Sequence, residues 1–210
     1  MMTMYQEYLA GLAAHLPPDV RTLFATLSGA QESDITELLH AYPDCPEDLL
    51  GLLRQLTGTY FEQHQNKKVF LPVLGSDVEA GEYPYYLQSA QQILKERKSW
   101  FGQKSIMKIY DEQMAEVDVD ERIDPTVPFH HWLCFSHCVN NGGTSRLYID
   151  FSPSPKGKCG QIVRYLHDPD SYQVIADNFA QYLQYIMQDE YLFIDPDAIG
   201  EEYCSSQENC

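Results

Sequence analysis

Apolar positions along the first sixty residues recur at helical spacing. Met4, Tyr8, Leu9 and Leu12 share one helical face, and Val20, Leu23, Phe24 and Leu27 share another. The second run is entered through Pro17-Pro18-Asp19 and stopped at Gly29. Ser33 is placed to cap a short helix carrying Ile35, Leu38 and Leu39. Pro46 opens a further helix that runs to Leu56 and ends at Gly58. Glu47 and Asp48 in its first turn suit the helix dipole. The segments 17–29 and 46–58 echo each other, which shared start and stop signals explain better than a duplication.

Beyond residue 60 the period shortens. Residues 66–74 read as a strand whose end Pro72 confines to a sheet edge. Residues 86–99 read as a helix. The most legible stretch lies between 129 and 166. Residues 131–135 form a strand, Asn140-Asn141-Gly142-Gly143 supplies a tight turn, and 146–151 returns with Leu147, Ile149 and Phe151 on one face. Pro153 to Gly157 turns again into a third strand at 161–166, completing an antiparallel meander. Asp168-Pro169-Asp170-Ser171 then launches a helix with Ile175, Phe179, Leu183 and Ile186 as its apolar stripe. The expected fold class is α+β, a mainly antiparallel sheet with helices packed on it. Residues 1–32 form a helical N-terminal extension, 33–190 the α+β domain, and 191–210 an acidic C-terminal tail.

Charge changes this picture. The 210 residues carry 14 basic and 31 acidic side chains, a formal net charge of -17. Such a chain is repelled by nucleic-acid phosphates and anionic membranes and attracts a basic partner. Residues 111–124 hold Asp111, Glu112, Glu116, Asp118, Asp120, Glu121 and Asp124 against Arg122 alone. Asp189, Glu190, Asp195, Asp197, Glu201 and Glu202 form a second group. Residues 1–7 lack the basic-then-apolar pattern of a signal peptide, and no apolar run is long enough for a membrane span. A cytoplasmic location is expected. There Cys45, Cys134, Cys138, Cys159, Cys204 and Cys210, scattered without framework spacing, would remain thiols.

Candidate chemistry is sparse. The segment from His130 to Cys138 is rich in metal-ligand types. On a strand, however, His131 and His137 share a face about 20 Å apart, and Cys134 and Cys138 share the other about 13 Å apart. Ligands of one zinc ion lie within roughly 4 Å of each other. Asp118 and Asp120 sit in a run of like charge without a calcium-loop glycine, so solvated acid is their expected role. The chain has no Gly-x-Ser-x-Gly elbow, phosphate-cradling Gly-x-x-x-x-Gly-Lys or Gly-x-Gly-x-x-Gly run. Lys95, Arg97 and Lys98 are too few for a nucleic-acid patch. The expectation is a non-catalytic protein without cofactor or metal.

Residues from about 33 to 187 resemble the SUKH superfamily, the domain of yeast Smi/Knr cell-wall regulators and of many bacterial toxin-immunity proteins. Its opening elements match Ile35-Thr36-Glu37-Leu38 and Cys45-Pro46-Glu47-Asp48-Leu49 through Thr57-Gly58. The helix entered at Pro17-Pro18-Asp19 is an alternative for the first of these. The Trp strand matches Trp132. The hydrophobic-Asp strand matches Leu147-Tyr148-Ile149-Asp150-Phe151-Ser152-Pro153, and the Gly-Gln strand matches Gly157-Lys158-Cys159-Gly160-Gln161-Ile162-Val163. The closing helix matches Ala176 to Leu183. Asp150 to Gly157 read as a hairpin turn, with Gly160 permitting close strand approach.

The resemblance implies a mixed helix and antiparallel-sheet domain that neutralises a polymorphic toxin, often a nuclease or deaminase, by binding it in the cytosol. A regulatory scaffold of the yeast type is the alternative. The acidity then fits a basic toxin domain as partner, with the chain a monomer or weak dimer. The candidate partner-binding residues are Asp111, Glu112, Glu116, Asp118, Asp120, Glu121, Asp124, Asp195 and Asp197.

Overall fold

A computed structural model describes residues 2–64, 67–78, 81–139, 145–167, 169–196 and 199. Four helices open the chain: α1 (Met4–His15), α2 (Pro18–Phe24), α3 (Glu32–Ala41) and α4 (Glu47–Gln55). α2 ends at Phe24, ahead of Gly29, because Thr26 and Leu27 donate to carbonyls only three residues back and tighten the chain out of the α-helix. Ser33 does not cap α3. Gln31 occupies that position, and Ser33 lies in the first turn.

Strands β1 (Tyr60–His64) and β2 (Lys67–Phe70) pair as a separate antiparallel ribbon. Next come β3 (Leu74–Val78), β4 (Gly81–Leu87) and α5 (Ala90–Lys98). The expected strand over 66–74 is thus two strands interrupted around Pro72. The expected helix over 86–99 starts only at Ala90, where Ser89 and Gln92 close a reciprocal capping box. Tyr86 and Leu87 belong to β4.

A short helix α6 (Ile106–Tyr110), a 3-10 turn at Asp111–Glu116 and the two-residue strand β5 (Asp118–Val119) lead to a 3-10 turn at Phe129–His131. The meander follows as β6 (Trp132–Cys138), β7 (Ser145–Asp150) and β8 (Gln161–Leu166). Its Asn140–Gly143 turn lies outside the described residues. A strand that was not anticipated, β9 (Ser171–Ala176), comes before the last helix α7 (Phe179–Gln188). Tyr172, Val174 and Ala176 alternate as buried positions, a period of two. Ile175 therefore lies on a strand, and the helix begins where Asn178 accepts from the Gln181 amide at 2.9 Å.

The seven-stranded sheet has the order β3-β4-β6-β7-β8-β9-β5. Every neighbouring pair is antiparallel except β5 with β9. The α+β reading is borne out. One face carries an aliphatic core in which Leu133, Leu147 and Ile162 meet Leu12, Leu49, Leu53 and Leu183 from the helices. Residues of α1 and α2, and Tyr191 and Phe193 beyond α7, belong to this same core. The other face is aromatic, with Phe129, Trp132, Tyr148 and Tyr172 packed with Ile106 and Ile123.

A bulge in β6 between Cys134 and Ser136 reverses the alternation. Cys134 consequently faces the aromatic side and Cys138 the aliphatic side, so the two thiols do not share a face.

Candidate functional site

The aromatic face is covered by residues 99–131, a cap with little regular structure. Its two arms are tied to each other by backbone hydrogen bonds. His130 N–H donates to Gly102 O, Phe129 N–H to Lys104 O and Met107 N–H to Pro125 O, at 2.8, 2.8 and 3.0 Å. Ser105 caps α6 by accepting from the Lys108 amide, and Ile106 and Ile123 point inward as buried anchors.

The outer arm of the cap is an acidic ledge. Asp111 takes a positive φ of 44° and reverses the chain out of α6. Asp111, Glu112 and Glu116 are exposed and make no ion pair among the described residues. Asp118, also exposed, accepts from Gln173 Nε2 at 2.8 Å. β5 then joins the sheet margin, where Asp118 N–H donates to Asp170 O and Asp120 N–H to Tyr172 O.

Three of the expected site acids have structural work. Asp120 is largely buried and accepts from Arg122 Nε at 2.9 Å, while Arg122 Nη2 reaches Val174 O at 3.1 Å. The hydrogen bonds from Arg122 hold the Asp120 carboxyl below its ordinary range. Glu121 pairs with Lys156 at 2.6 Å, but both are exposed and the pair contributes little. Asp124 accepts from the Thr126 amide and hydroxyl, closing a local turn.

The β7–β8 turn clamps the ledge from the side. The Arg122 carbonyl accepts from Ser154 N–H at 3.1 Å and from Gln161 Nε2 at 3.1 Å, and the Ser154 hydroxyl donates to Glu121 O at 2.7 Å. Gln161 Nε2 also donates to Asp150 Oδ2 at 3.0 Å, and Ser152 N–H donates to Asp150 Oδ1 at 2.8 Å. Burial nevertheless dominates at Asp150 and raises its carboxyl to about 6. Gly157 is required by close approach, since a Cβ there would lie 2.4 Å from the Arg122 carbonyl. Gly160 has open space around that position but a φ of +87°. The close approach read at Gly160 therefore belongs to Gly157, and Gly160 serves its left-handed backbone.

Asp195 is exposed and follows Phe193, which is buried in the aliphatic core. The ledge lies on the opposite face, so the two acidic groups start from opposite sides of the sheet. Asp197, Glu201 and Glu202 lie outside the described residues.

In the His and Cys segment the rings of His130 and His131 lie side by side, with centroids 4.4 Å apart, but the other groups do not join them. His131 ends a 3-10 turn. His137 is buried in β6, and burial, with Arg146 nearby, drives its imidazole down to about 3. Burial raises the Cys134 thiol and takes Cys45 to about 12, far from a reactive thiolate. Among the described residues no group of three or more His, Cys, Asp or Glu side chains is placed to hold a metal ion. No helix among them is long and apolar enough to cross a membrane.

Sequence reading missed Arg146, which is nearly buried. It bonds Glu96 at 2.9 Å and lies over the Phe101 ring at 4.5 Å, tying β7 to α5 and the cap. The alternation of Arg146 with Leu147 marked it as facing away from the aliphatic side. Nothing in the pattern announced that this second side is also covered.

A model of the SMI1/KNR4 family (SUKH-1) matches residues 12–185. The chain belongs to this family. The match begins inside α1, ahead of residue 33, and so takes in α2 as well as α3. No curated protein matches the chain. In this SUKH-1 chain the Asp150 to Gln161 motif has a positional role, because it grips the backbone of the acidic ledge at Arg122 and Glu121.

Proposed function

We propose that this SUKH-1 protein is a non-catalytic binding protein that receives a basic protein partner on the cap ledge. In the specific reading it is a cytoplasmic immunity protein that neutralises a nuclease or deaminase toxin. The observation that carries this is the ledge itself. Asp111, Glu112 and Glu116 stand exposed and without ion-pair partners among the described residues, in the turn just ahead of Asp118 to Arg122, whose backbone is bonded to β9 and to the β7–β8 turn. A row of exposed carboxylates steers a cationic protein surface toward it. A nuclease keeps a cationic surface for phosphate, which such a row would cover.

Co-expression with a toxin encoded beside the gene tests the proposal. Growth should be rescued, and the association rate of the purified pair should fall steeply as salt rises. The triple variant Asp111→Lys, Glu112→Lys, Glu116→Lys should slow association by about tenfold or more while keeping the fold. Rescue that persists unchanged with the reversed ledge would place the partner on another surface.

A further inference from the structure

The acidic ledge has a basic neighbour that the proposed function does not use. Lys95, Arg97, Lys98, Lys104 and Lys108 hold five of the chain's 14 basic residues within one short stretch, against Glu96 alone. Arg97 lies over the Tyr42 ring at 5.4 Å, and Lys104 lies 5.0 Å from the Trp100 ring centroid. Lys95, Lys98 and Lys108 are exposed. Among the described residues neither these three nor Lys104 forms an ion pair.

The same arm exposes large apolar groups. Trp100 is 71 % exposed and Met107 47 %, whereas the chain's other tryptophan, Trp132, is 2 % exposed. The end of the arm that carries Lys104, Met107 and Lys108 adjoins the ledge through Met107 N–H to Pro125 O and by the chain reversal at Asp111, while Lys95, Arg97 and Lys98 extend the positive charge back along α5.

We infer that the cap is a self-complementary surface and that the chain forms a two-fold homodimer through it. The basic arm of each copy lies on the acidic ledge of the other, with Trp100 near the centre. A two-fold axis places a positive patch and its negative neighbour on a negative and a positive patch, so each charge meets its opposite twice. An exposed tryptophan beside such charges is the residue type that anchors interfaces.

The ledge also selects the occupant. An acidic protein, a nucleic acid or an anionic membrane drawn to the arm would meet the exposed carboxylates of Asp111, Glu112, Glu116 and Asp118 beside it. A surface that offers acid and base in the matching arrangement is the chain's own. The net charge of -17 opposes association at very low salt. Near physiological ionic strength a screening length of about 8 Å leaves the local patches in control. The dimer and a basic partner would compete for the ledge, but the dimer can be tested without that partner.

Sedimentation equilibrium of the full chain up to about 200 μM should show a monomer–dimer equilibrium near 0.15 M salt, weakened about tenfold or more near 0.6 M. Trp100→Ala should weaken it similarly. The Lys104→Glu/Lys108→Glu variant and the Asp111→Lys/Glu112→Lys variant should each be monomeric alone and form a one-to-one heterodimer when mixed. Circular dichroism and urea unfolding of each variant verify the fold. A wild-type chain that stays monomeric at the highest concentration overturns the inference. So does a dimer indifferent to all these variants, or a reversed-charge mixture that fails to pair. Binding of a monomeric wild type to polyglutamate or to vesicles containing phosphatidylserine would assign the arm to an anionic partner instead.

Discussion

The two faces of the sheet are covered by different means. On one, helices α1, α4 and α7 lay leucines against Leu133, Leu147 and Ile162. Three tyrosine hydroxyls lock these layers together: Tyr8 donates to Val73 O, Tyr182 to Gly75 O and Tyr191 to Tyr8 O. The first two cover carbonyls at the β3 margin of the sheet, which would otherwise invite another strand. On the other face the cover is the cap, whose one α-helix has five residues. Beneath it Phe129, Trp132, Tyr148 and Tyr172 make edge and tilted ring contacts, and Tyr165 donates to Asp170 at 2.8 Å. The helical face is arranged to hold the fold. The cap face presents charge on a backbone held by scattered bonds, which allows it to open locally without global unfolding.

The sharpest way to break this contrast is a matched pair of core truncations. Leu183 and Ile123 are both almost completely buried, one on each face. Leu183→Ala should cost about 2–5 kcal/mol of global stability in urea, because a tight helix–sheet layer cannot collapse around the void. Ile123→Ala should cost about half as much, since an irregular segment can settle inward, and should speed amide exchange chiefly within 99–131. Equal costs with uniform exchange would mean that both faces form one cooperative layer.

The same contrast explains what the sequence revealed. The meander and α4 were legible because one face of each is aliphatic and their ends carry Gly or Pro. β9 was merged into α7 because Ile175, Phe179, Leu183 and Ile186 satisfy a helical period by coincidence, while the true alternation runs through Tyr172, Val174 and Ala176. β4 was hidden by Pro84, which sits in a strand whose partner β3 lies at the margin of the sheet. The acids of 111–124 were found by counting. Asp120 and Arg122 pair only two positions apart, but that Arg122 also reaches Val174, and that the β7–β8 turn grips the ledge, depends on contacts 52 and 39 positions apart, which no local pattern encodes.

Asp150 tests the seam between sheet and cap. Its carboxyl moves from an ordinary value of 3.8 to about 6, chiefly through burial. Protonated in both folded and unfolded chains at low pH, it costs nothing there. As pH rises from about 4 to 6 the unfolded chain ionises first, so stability falls, by at most roughly 3 kcal/mol. Asp150→Asn should flatten this part of the pH–stability curve relative to wild type, and a carbon-detected titration of the Asp150 carboxyl should show a midpoint near 6. Parallel stability curves for the two proteins would remove Asp150 as a source of the pH dependence.

Arg122 carries the smallest effect and separates charge from packing on the cap. Its guanidinium bonds Asp120 and Val174 O, and its side chain is 40 % exposed, so solvent weakens the pair. Arg122→Ala should cost about 1 kcal/mol at neutral pH. The Asp120 carboxyl is held below its ordinary value, so its contribution is complete above that value and disappears as pH falls through the lowered one. The gap between wild type and variant in urea should therefore shrink in acid, and Arg122→Lys should recover only part of it, lacking the planar fork. A gap of constant size across pH would assign the loss to the Val174 contact and the packed stem of Arg122. The cap would then be held by shape, as the helical face is, and the contrast between the two faces would narrow to the charge they present.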